Sequence, residues 1–306
     1  MVSTVFILNP AAGHGRAERV WETFRDELLR ALPDASCLRT DGPGHAGDIA
    51  CEAAAGGATR LIAVGGDGTF SEVLDGVMRS PPGLRRAVAL ACLPAGSGCD
   101  LARHLAIPKD RQGILDFLTG GTRRPVDVGR VRYTGADGSE LQRHFINIAG
   151  FGAAGDVARH IQRTGKALGG RFSYALASAR ALLGAQAKTL RLYADGQDLS
   201  GRYHLGVLAN TSTMGGGMLI APGALDDDGA LDLVLVSDMS RLRLLWNLPR
   251  IYNGTHLNEP GVSLHRVRSL KVKSDETVYL NIDGEADGML PASFEVLPRA
   301  VAVLTP

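Results

Sequence analysis

The sequence is poor in cysteine, poor in aromatic residues and free of long apolar runs. Its 4 cysteines include no C-x-x-C pair and no zinc-ligand spacing with histidine, which excludes a disulfide framework and the common zinc motifs. Aromatic residues make up 5% of the chain, too few to predict a stacking surface for single-stranded nucleic acid. No stretch reaches the roughly 18 apolar residues that a membrane-spanning helix needs. We therefore expect a cytoplasmic protein, and peripheral contact with a membrane stays open.

The length and charge of the chain also indicate what kind of protein it is. A chain of 306 residues is too long for one typical core, so two domains are expected. Its 45% hydrophobic and 21% charged residues are ordinary for a soluble globular protein. The net charge of +1 gives no electrostatic reason to expect a nucleic-acid partner. The 39 glycines suit a fold with many turns and ligand loops.

The most informative stretch spans residues 61–77 and reads LIAVGGDGTFSEVLDGV. Four apolar residues predict a short buried strand, and the apolar residues after the glycines recur at helical spacing. A strand, a glycine turn and a helix start aim backbone N–H groups and the positive end of a helix dipole at one point, which suits phosphate. Asp67 would repel phosphate unless a metal ion or a ribose hydroxyl lay between them. The stretch indicates a nucleotide site with Mg²⁺, and an ordinary turn without a ligand is the alternative.

The first part of the chain alternates strands with helices. Strands are predicted at residues 2–8, 35–39, 61–64 and 87–93, and helices at 16–32, 45–56 and 114–118. This alternation predicts a parallel α/β sheet. Glycine-rich loops follow the strands that end at Leu8, Val64 and Leu93. Because ligands bind at the carboxyl ends of parallel strands, the three loops can face one crevice.

After residues 120–125 the sequence pattern changes from alternating strands and helices to mostly strands. Residues 120–125 are polar and basic, and we interpret them as a linker. Strands are predicted at residues 126–133, 143–149, 190–193, 203–209, 231–236, 270–273, 278–282 and 301–304, with a helical interruption at 156–183. We therefore predict a three-layer, Rossmann-like α/β domain over residues 1–125 and a mainly β sandwich over 126–296. The final strand, about residues 297–306, is expected to return to the first domain.

Six motifs occur in a fixed order along the chain. Asn9–Gly13 is similar to an NPxSG loop with Ala12 in place of Ser, and Gly65–Thr69 reads GGDGT with Glu72 after it. The others are PAGSGCDLAR at 94–103, NIAGFGAAG at 147–155, GGGM with APGALDDDGALD between 215 and 232, and NIDGE at 281–285. The set covers nearly the whole chain and resembles the bacterial diacylglycerol kinase family of lipid kinases. NAD kinases share the GGDGT turn but lack the later motifs in this form.

The resemblance implies an ATP- and Mg²⁺-dependent transferase of lipid metabolism, with ATP and the lipid headgroup bound between an α/β domain and a β domain. It assigns ATP binding to Asn9, Pro10, Ala11, Ala12, Gly13, Thr40, Gly65, Gly66, Asp67, Gly68, Thr69, Glu72 and Ser97. It assigns the general base to Asp283, with Glu285 beside it in the catalytic set. It assigns a structural Mg²⁺ to Asp228 and to the carbonyls of Leu225 and Ala230. Taken alone, Asp283-Gly284 would instead be a solvent-facing hairpin turn.

Some residues depart from the family pattern. Ser97 stands where diacylglycerol kinases usually carry Thr, and Cys99 stands where Asn is common; the same loop is similar to the sphingosine and ceramide kinase branch. The acceptor is therefore open among diacylglycerol, sphingoid bases, ceramide and other lipids. An NAD kinase-like enzyme or a non-catalytic nucleotide- or lipid-binding protein is the further alternative. Cys99 could be a reactive thiol at a helix start, but a buried inert thiol is the favoured interpretation.

The sequence leaves membrane contact and dimer formation open. The basic and apolar residues at 241–246 could contact a membrane, although solvated charge and core packing are the favoured interpretation. A homodimer also stays open.

Overall fold

The computed structural model describes residues 3–96, 98–164, 178–180 and 182–306. The chain divides into two compact units. Unit 1 contains Met1–Asp127 and Arg299–Pro306, and unit 2 contains Val128–Pro298. The boundaries predicted from the sequence are residues 125 and 296, and the function of each unit stays a prediction.

Strands and helices alternate along unit 1. The elements are β1 (Thr4–Leu8), α1 (Ala12–Ala31), β2 (Ala35–Arg39), α2 (His45–Ala55), β3 (Arg60–Gly65), α3 (Asp67–Met78), α4 (Pro82–Ala87), β4 (Ala89–Pro94), α5 (Asp100–His104) and α6 (Arg111–Gly120). The strands pair in parallel in the order β2-β1-β3-β4, and the final strand β15 (Glu285–Thr305) pairs in parallel with β4. The predicted α/β class is confirmed. The strand order is a doubly wound one with its switch point between β1 and β3.

The core of unit 1 explains why these segments form strands and helices. Phe6, Ile7 and Leu8 of β1 are fully buried, as expected for a strand covered on both faces. Helix α1 turns Trp21 inward, and its ring lies 4.9 Å from that of Phe6. Apolar residues at helical spacing thus place one stripe of α1 in the core and leave the other side to solvent.

Unit 2 is mainly antiparallel β structure, as predicted. Strand β5 (Thr122–Thr134) begins in unit 1 and continues into unit 2. The other elements of unit 2 are β6 (Glu140–Phe145), β7 (Ile148–Gly152), α7 (Ala153–Thr164), β8 (Lys188–Ala194), β9 (Gln197–Asp198), β10 (Gly201–Ala209), β11 (Leu231–Ser237), α8 (Arg241–Asn247), β12 (Val262–Val267), β13 (Ser269–Lys273), β14 (Tyr279–Ile282) and most of β15, with 3-10 turns at Pro249–Asn253 and Thr255–Asn258. The pairing order β10-β7-β14-β15-β13-β8 returns to β10, so the strands close a ring. Phe145, Phe151 and Phe294 lie in its core.

Two predicted features of the chain path are wrong in detail. The segment 120–125 is not a linker, because β5 begins at Thr122 and the Arg123 guanidinium donates to the carbonyl oxygen of Ala87 at 2.9 Å. The predicted strand 143–149 is two strands, broken between Phe145 and Ile148. Helix α8 and strand β12 were not predicted.

The helical interruption predicted at 156–183 falls partly on described residues. Helix α7 begins at Ala153 and its described part ends at Thr164. Residues 165–177 and 181 lie outside the described residues. The long strand β15 begins at Glu285, well before the predicted 301–304 segment.

Helices α2 and α3 approach closely because two glycines face each other. A Cβ on Gly76 would lie 2.0 Å from the carbonyl oxygen of Gly47. Real Cβ atoms do not tolerate such a distance, so any larger residue forces the two backbones apart.

We expect Gly76→Ala to destabilise the protein by about 1–3 kcal/mol, because the added methyl overpacks the α2–α3 contact. Thermal unfolding measures the effect. Gly83→Ala in α4 is the matched control, because a Cβ on Gly83 meets nothing within 4 Å, and alanine there favours the helix by up to about 1 kcal/mol. Equal melting temperatures for the two variants would contradict the close approach.

Candidate active site

Three turns of unit 1 meet at the carboxyl ends of β1, β3 and β4. The Asn9 backbone N–H donates to the carbonyl oxygen of Val64 at 3.1 Å, and the Asn9 amide donates to Thr69 Oγ1 at 3.2 Å. The Ala95 backbone N–H donates to the carbonyl oxygen of Gly65 at 2.7 Å. The first and third loops are therefore both hydrogen-bonded to the GGDGT turn, at the switch point where ligands bind in such sheets.

Glycines at this junction allow the backbones to touch. A Cβ on Gly96 would lie 2.5 Å from the Cα of Gly66, and a Cβ on Gly13 would lie 2.6 Å from the carbonyl oxygen of Ala95. Gly13 also has a φ of 60°, and His14 and Gly15 follow in the same left-handed region. The regular part of α1 therefore starts at Arg16, as the sequence pattern predicts.

The start of α3 leaves backbone donors available to an anion. Gly66 stands at the N-cap with an extended backbone and no side-chain cap. The first N–H groups of a helix, here those of Asp67, Gly68 and Thr69, have no partner within the helix. Together with the helix dipole, they form a cradle of the kind that binds phosphate.

The Asp67 carboxylate accepts hydrogen bonds from the loop that leads into α5. Its Oδ2 accepts the Asp100 N–H at 3.1 Å, and its Oδ1 accepts the Leu101 N–H at 3.2 Å. Asp67 therefore caps the start of α5 from a different helix. The sequence pattern gives no sign of this capping role, because the two segments are separated by more than 30 residues.

Cys99 is held as an inert thiol. It adopts a left-handed conformation with φ 51° before α5, and its thiol donates to the Gly96 carbonyl oxygen at 3.3 Å. Burial raises the pKa of the Cys99 thiol to about 11, and the nearby Asp67 carboxylate adds to that rise. The thiolate is therefore scarce at neutral pH, which supports the favoured interpretation of this residue.

The other predicted ATP residues of unit 1 fall around the same turns. Thr40 is buried just after β2, and its N–H donates to the carbonyl oxygen of Leu8 at 2.9 Å. The Ala11 N–H donates to Asn9 Oδ1 at 3.1 Å, so Pro10 and Ala12 lie in the same turn. Glu72 is half-buried on α3, one turn beyond Gly68. Ser97 lies outside the described residues.

In unit 2, Asp283 occupies a two-residue hairpin turn between β14 and β15. Asp283 has φ 48° and Gly284 has φ 90°, so both adopt the positive φ of a type I′ turn. The Asp283 side chain nevertheless points inward, because three consecutive backbone N–H groups converge on its carboxylate. Oδ2 accepts Ile146 N–H at 3.0 Å, and Oδ1 accepts Asn147 N–H at 2.9 Å and Ile148 N–H at 3.0 Å. This convergence is also why β6 and β7 separate here.

Burial and hydrogen bonding act in opposite directions on the acidity of Asp283. Burial raises the pKa of its carboxyl, the three backbone N–H groups and the charge of Arg143 lower it, and the net result is a pKa raised to about 6. The desolvation effect dominates. The carboxylate is thus ionised at neutral pH but is more basic than an ordinary aspartate.

Arg143 joins the acidic groups that follow the turn. Its Nη1 lies 2.9 Å from Glu285 Oε2 and 3.2 Å from Asp287 Oδ2. The Tyr133 hydroxyl donates to the same Asp287 oxygen at 2.6 Å. Arg143 and Asp287 were not among the predicted site residues, and no local pattern in the sequence marks either of them.

The predicted structural metal loop is stabilised by protein groups. Asp228 Oδ1 accepts the Ala230 N–H at 3.1 Å, and Asp228 Oδ2 pairs with Arg266. Leu225 is exposed at the start of the loop. The three predicted ligands are oxygen atoms, which is the type of ligand that Mg²⁺ prefers. The only carboxylate among them, that of Asp228, already pairs with the Arg266 guanidinium. In the described part of the chain, no cluster of three His, Cys, Asp or Glu residues is placed to hold a metal.

Comparisons with known proteins match both units. The family model described as the diacylglycerol kinase catalytic domain matches residues 3–131, and the YegS C-terminal NAD kinase beta sandwich-like domain matches residues 147–305. Diacylglycerol kinases of Staphylococcus haemolyticus (strain JCSC1435) and Staphylococcus aureus (strain MRSA252) are each 30% identical over 300 residues. These matches span 98% of this chain and 87% and 91% of the two relatives. The chain belongs to the diacylglycerol kinase family.

Solved structures agree with this membership. A provisionally named diacylglycerol kinase of Bacillus anthracis strain Sterne matches with a TM-score of 0.82 at 25% identity, covering 99% of this chain and 95% of that one. Yeast NADH kinase in complex with NADH matches with a TM-score of 0.53 at 12% identity, covering 100% and 84%. The second likeness shows only that the fold is shared.

Family membership settles the enzyme class. This diacylglycerol kinase family member is a lipid kinase, and a kinase of this family implies ATP as the phosphoryl donor. The resemblance stated from the sequence motifs is confirmed. Among the described residues, no helix is long and apolar enough to cross a membrane.

We expect Asp67→Ala to destabilise the protein by about 1–2 kcal/mol, because α5 loses the acceptor for its first N–H groups. Chemical denaturation measures the loss. Asp110→Ala is the matched control, because Asp110 is an ordinary N-cap that accepts the Gly113 N–H at 2.9 Å in the same unit. Both variants should lose similar stability, and only Asp67→Ala should also weaken ATP binding. An unchanged unfolding midpoint for Asp67→Ala would contradict the capping role.

Proposed function

We propose that the protein transfers the γ-phosphate of ATP to the hydroxyl of a diacylglycerol-type lipid, with Asp283 as the general base. The observation that carries the proposal is the buried Asp283 carboxylate, held by three backbone N–H groups and with its pKa raised to about 6. A base of this strength at a fixed position suits proton removal from an alcohol at neutral pH.

The hydrogen bonds of Asp283 leave one oxygen able to accept a substrate proton. Oδ1 already accepts two N–H groups, those of Asn147 and Ile148, whereas Oδ2 accepts only that of Ile146. A carboxylate oxygen has two lone-pair sites. We infer that the remaining site of Oδ2 takes the hydroxyl proton while the lipid oxygen bonds to the γ-phosphorus. The bond between that phosphorus and its bridging oxygen breaks, and ADP leaves with the electron pair.

Three features of unit 1 support ATP binding there. The N–H groups at the start of α3 provide donors for phosphate oxygens. Asn9 and Thr69 fix the loops on either side of that cradle through their side-chain hydrogen bond. Glycines 66 and 96 let the second and third loops pack backbone against backbone beside that cradle. We assign the phosphate end of ATP to this cradle and retain Thr40, Glu72 and Ser97 as proposed ATP-binding residues.

Mg²⁺ is part of the proposal. When bound, it neutralises charge on the transferring phosphate oxygens. Asp67 and Glu285 are the acidic groups of the predicted set that can supply oxygen ligands. Each Asp67 oxygen accepts one N–H group and keeps a lone pair, and one Glu285 oxygen pairs with Arg143. A structural ion beside Asp228 would have to share that carboxylate with Arg266.

We also propose the three-layer, Rossmann-like arrangement for unit 1. Helix α1 packs with α6, and α2 packs with α3 and α4. Two separate helix groups are what a parallel sheet covered on both faces requires.

The decisive experiment is transfer of labelled γ-phosphate from ATP to a panel of lipids in mixed micelles with Mg²⁺. We expect diacylglycerol to be labelled, and Asp283→Asn to reduce the rate by about 10²–10⁴-fold because the base is lost. Label on sphingosine, ceramide, monoacylglycerol or phosphatidylglycerol in place of diacylglycerol would reassign the acceptor.

The matched control for this experiment is Asp195→Asn. Asp195 also precedes a glycine in a hairpin turn and accepts two backbone N–H groups, from Arg268 and Ser269. Unlike Asp283, it is exposed. Its variant should transfer phosphate at the wild-type rate. Equal labelling by Asp283→Asn and wild type would show that Asp283 is not the base.

Catalysis should also depend on pH through Asp283. Because its pKa is raised to about 6, kcat/KM should be level above pH ~7 and fall roughly tenfold for each pH unit below the pKa. Stability should respond in the opposite direction, because a carboxyl with a raised pKa stabilises the fold less as pH rises through that value. Rate profiles with ATP saturating, beside melting temperatures over the same range, test both. A flat rate down to pH ~5 would contradict the assignment.

A further inference from the structure

Helix α8 in unit 2 presents two large apolar side chains to solvent. Leu242 is 81% exposed and Trp246 is 70% exposed, the highest values among the exposed large apolar residues of the described chain. They lie four residues apart and therefore share one face of the helix. We call this pair the α8 face. Isolated apolar residues at the surface are common, but two on one helix face form a contiguous apolar feature of the kind that marks interaction sites.

The other side of α8 is fixed to the core, so the α8 face is held in place. Leu244 is 4% exposed and packs in a cluster with Leu182 and Val236. Ser240 caps the helix by accepting the Arg243 N–H. The exposure of Leu242 and Trp246 is thus imposed by a helix whose orientation is set by its buried residues.

Positive charge surrounds the α8 face. Arg243 and Arg250 both pair with the single carboxylate of Glu259, at 2.6 Å and 2.7 Å. Arg241 has no ion-pair partner within the described residues of unit 2. Two guanidinium groups share the one carboxylate of Glu259, and Arg241 adds a third positive charge on α8 itself. These groups together carry an excess of positive charge, which is complementary to an anionic surface.

We propose that the α8 face is a membrane-docking surface that inserts Leu242 and Trp246 into the interface of an anionic phospholipid membrane. Tryptophan suits that boundary, because its ring is apolar and its N–H can remain hydrated. Guanidinium groups beside it meet lipid phosphates, and the apolar pair supplies burial that charge alone does not. The inference rests on the proposed function only in that the acceptor of a lipid kinase resides in a membrane.

Intrinsic fluorescence can test docking directly. The chain has 2 tryptophans, and the second, Trp21, is 2% exposed in unit 1. Vesicles of phosphatidylcholine with phosphatidylglycerol should shift the emission of Trp246 to the blue, and brominated phosphatidylcholine in the same vesicles should quench it. Vesicles of phosphatidylcholine alone should do less, and added salt should weaken the effect. No shift and no quenching with anionic vesicles would overturn the proposal.

Variants separate this inference from the proposed activity. Leu242→Ser with Trp246→Ala should weaken vesicle binding in sedimentation by about tenfold or more, because two apolar side chains no longer leave water. Leu38→Ser, at another exposed leucine in β2 of unit 1, is the control and should bind normally. On a short-chain, water-soluble diacylglycerol, all three proteins should have equal kcat.

The outcomes are distinct. Wild-type protein that binds anionic vesicles but phosphorylates no lipid would leave docking standing and defeat the proposed function. Wild-type protein that phosphorylates the soluble lipid, while the double variant binds vesicles normally, would overturn the docking surface alone. If the double variant instead changes a dimer into a monomer in sedimentation velocity without lipid, the α8 face is covered by a second copy and the proposal is wrong.

Discussion

A buried carboxylate needs hydrogen-bond donors to replace the water that it loses. The Asp283 carboxylate has three such donors, which are backbone N–H groups of consecutive residues. The N–H groups of Ile146, Asn147 and Ile148 can reach one side chain only if the backbone leaves the β ladder there. The interruption between β6 and β7 and the inward side chain of the β14–β15 turn are therefore one arrangement. It fixes the Asp283 carboxylate through backbone donors, which cannot rotate away as side-chain donors can.

Unit 1 uses the opposite arrangement at its own turns. There the backbone N–H groups at the start of α3 have no partner within the helix, and glycines at positions 66 and 96 let the neighbouring turns pack backbone against backbone. The nearby Asp67 carboxylate is directed away from those donors, into the first turn of α5. The charge of Asp67 is thus partly offset by two N–H groups of α5, although the residue lies in the turn that leads into α3.

The sequence predicts well what depends on neighbours in the chain. The turns at Asn9 and Gly65 were predicted because strand, glycine and helix signals occur together within a few residues. The burial of Asp283 could not be predicted in that way, since Asp195-Gly196 forms the same kind of turn and stays exposed. The difference arises from N–H groups more than 130 residues away in the chain. Arg143 escaped prediction for the same reason. The exposure of residues 242 and 246 was considered but was not the favoured interpretation, because only tertiary packing decides it.

Strand β15 leaves unit 2 and ends in unit 1, where Ala302 and Val303 pair beside Ala89 and Leu90 of β4. During synthesis, β4 leaves the ribosome long before β15 does. Until then, one edge of the parallel sheet keeps unpaired N–H and C=O groups, which invite association with other strands. The nascent chain must therefore carry an unfinished sheet while all of unit 2 is translated. In that interval the open strand edge is of the kind that favours aggregation of a partly folded chain.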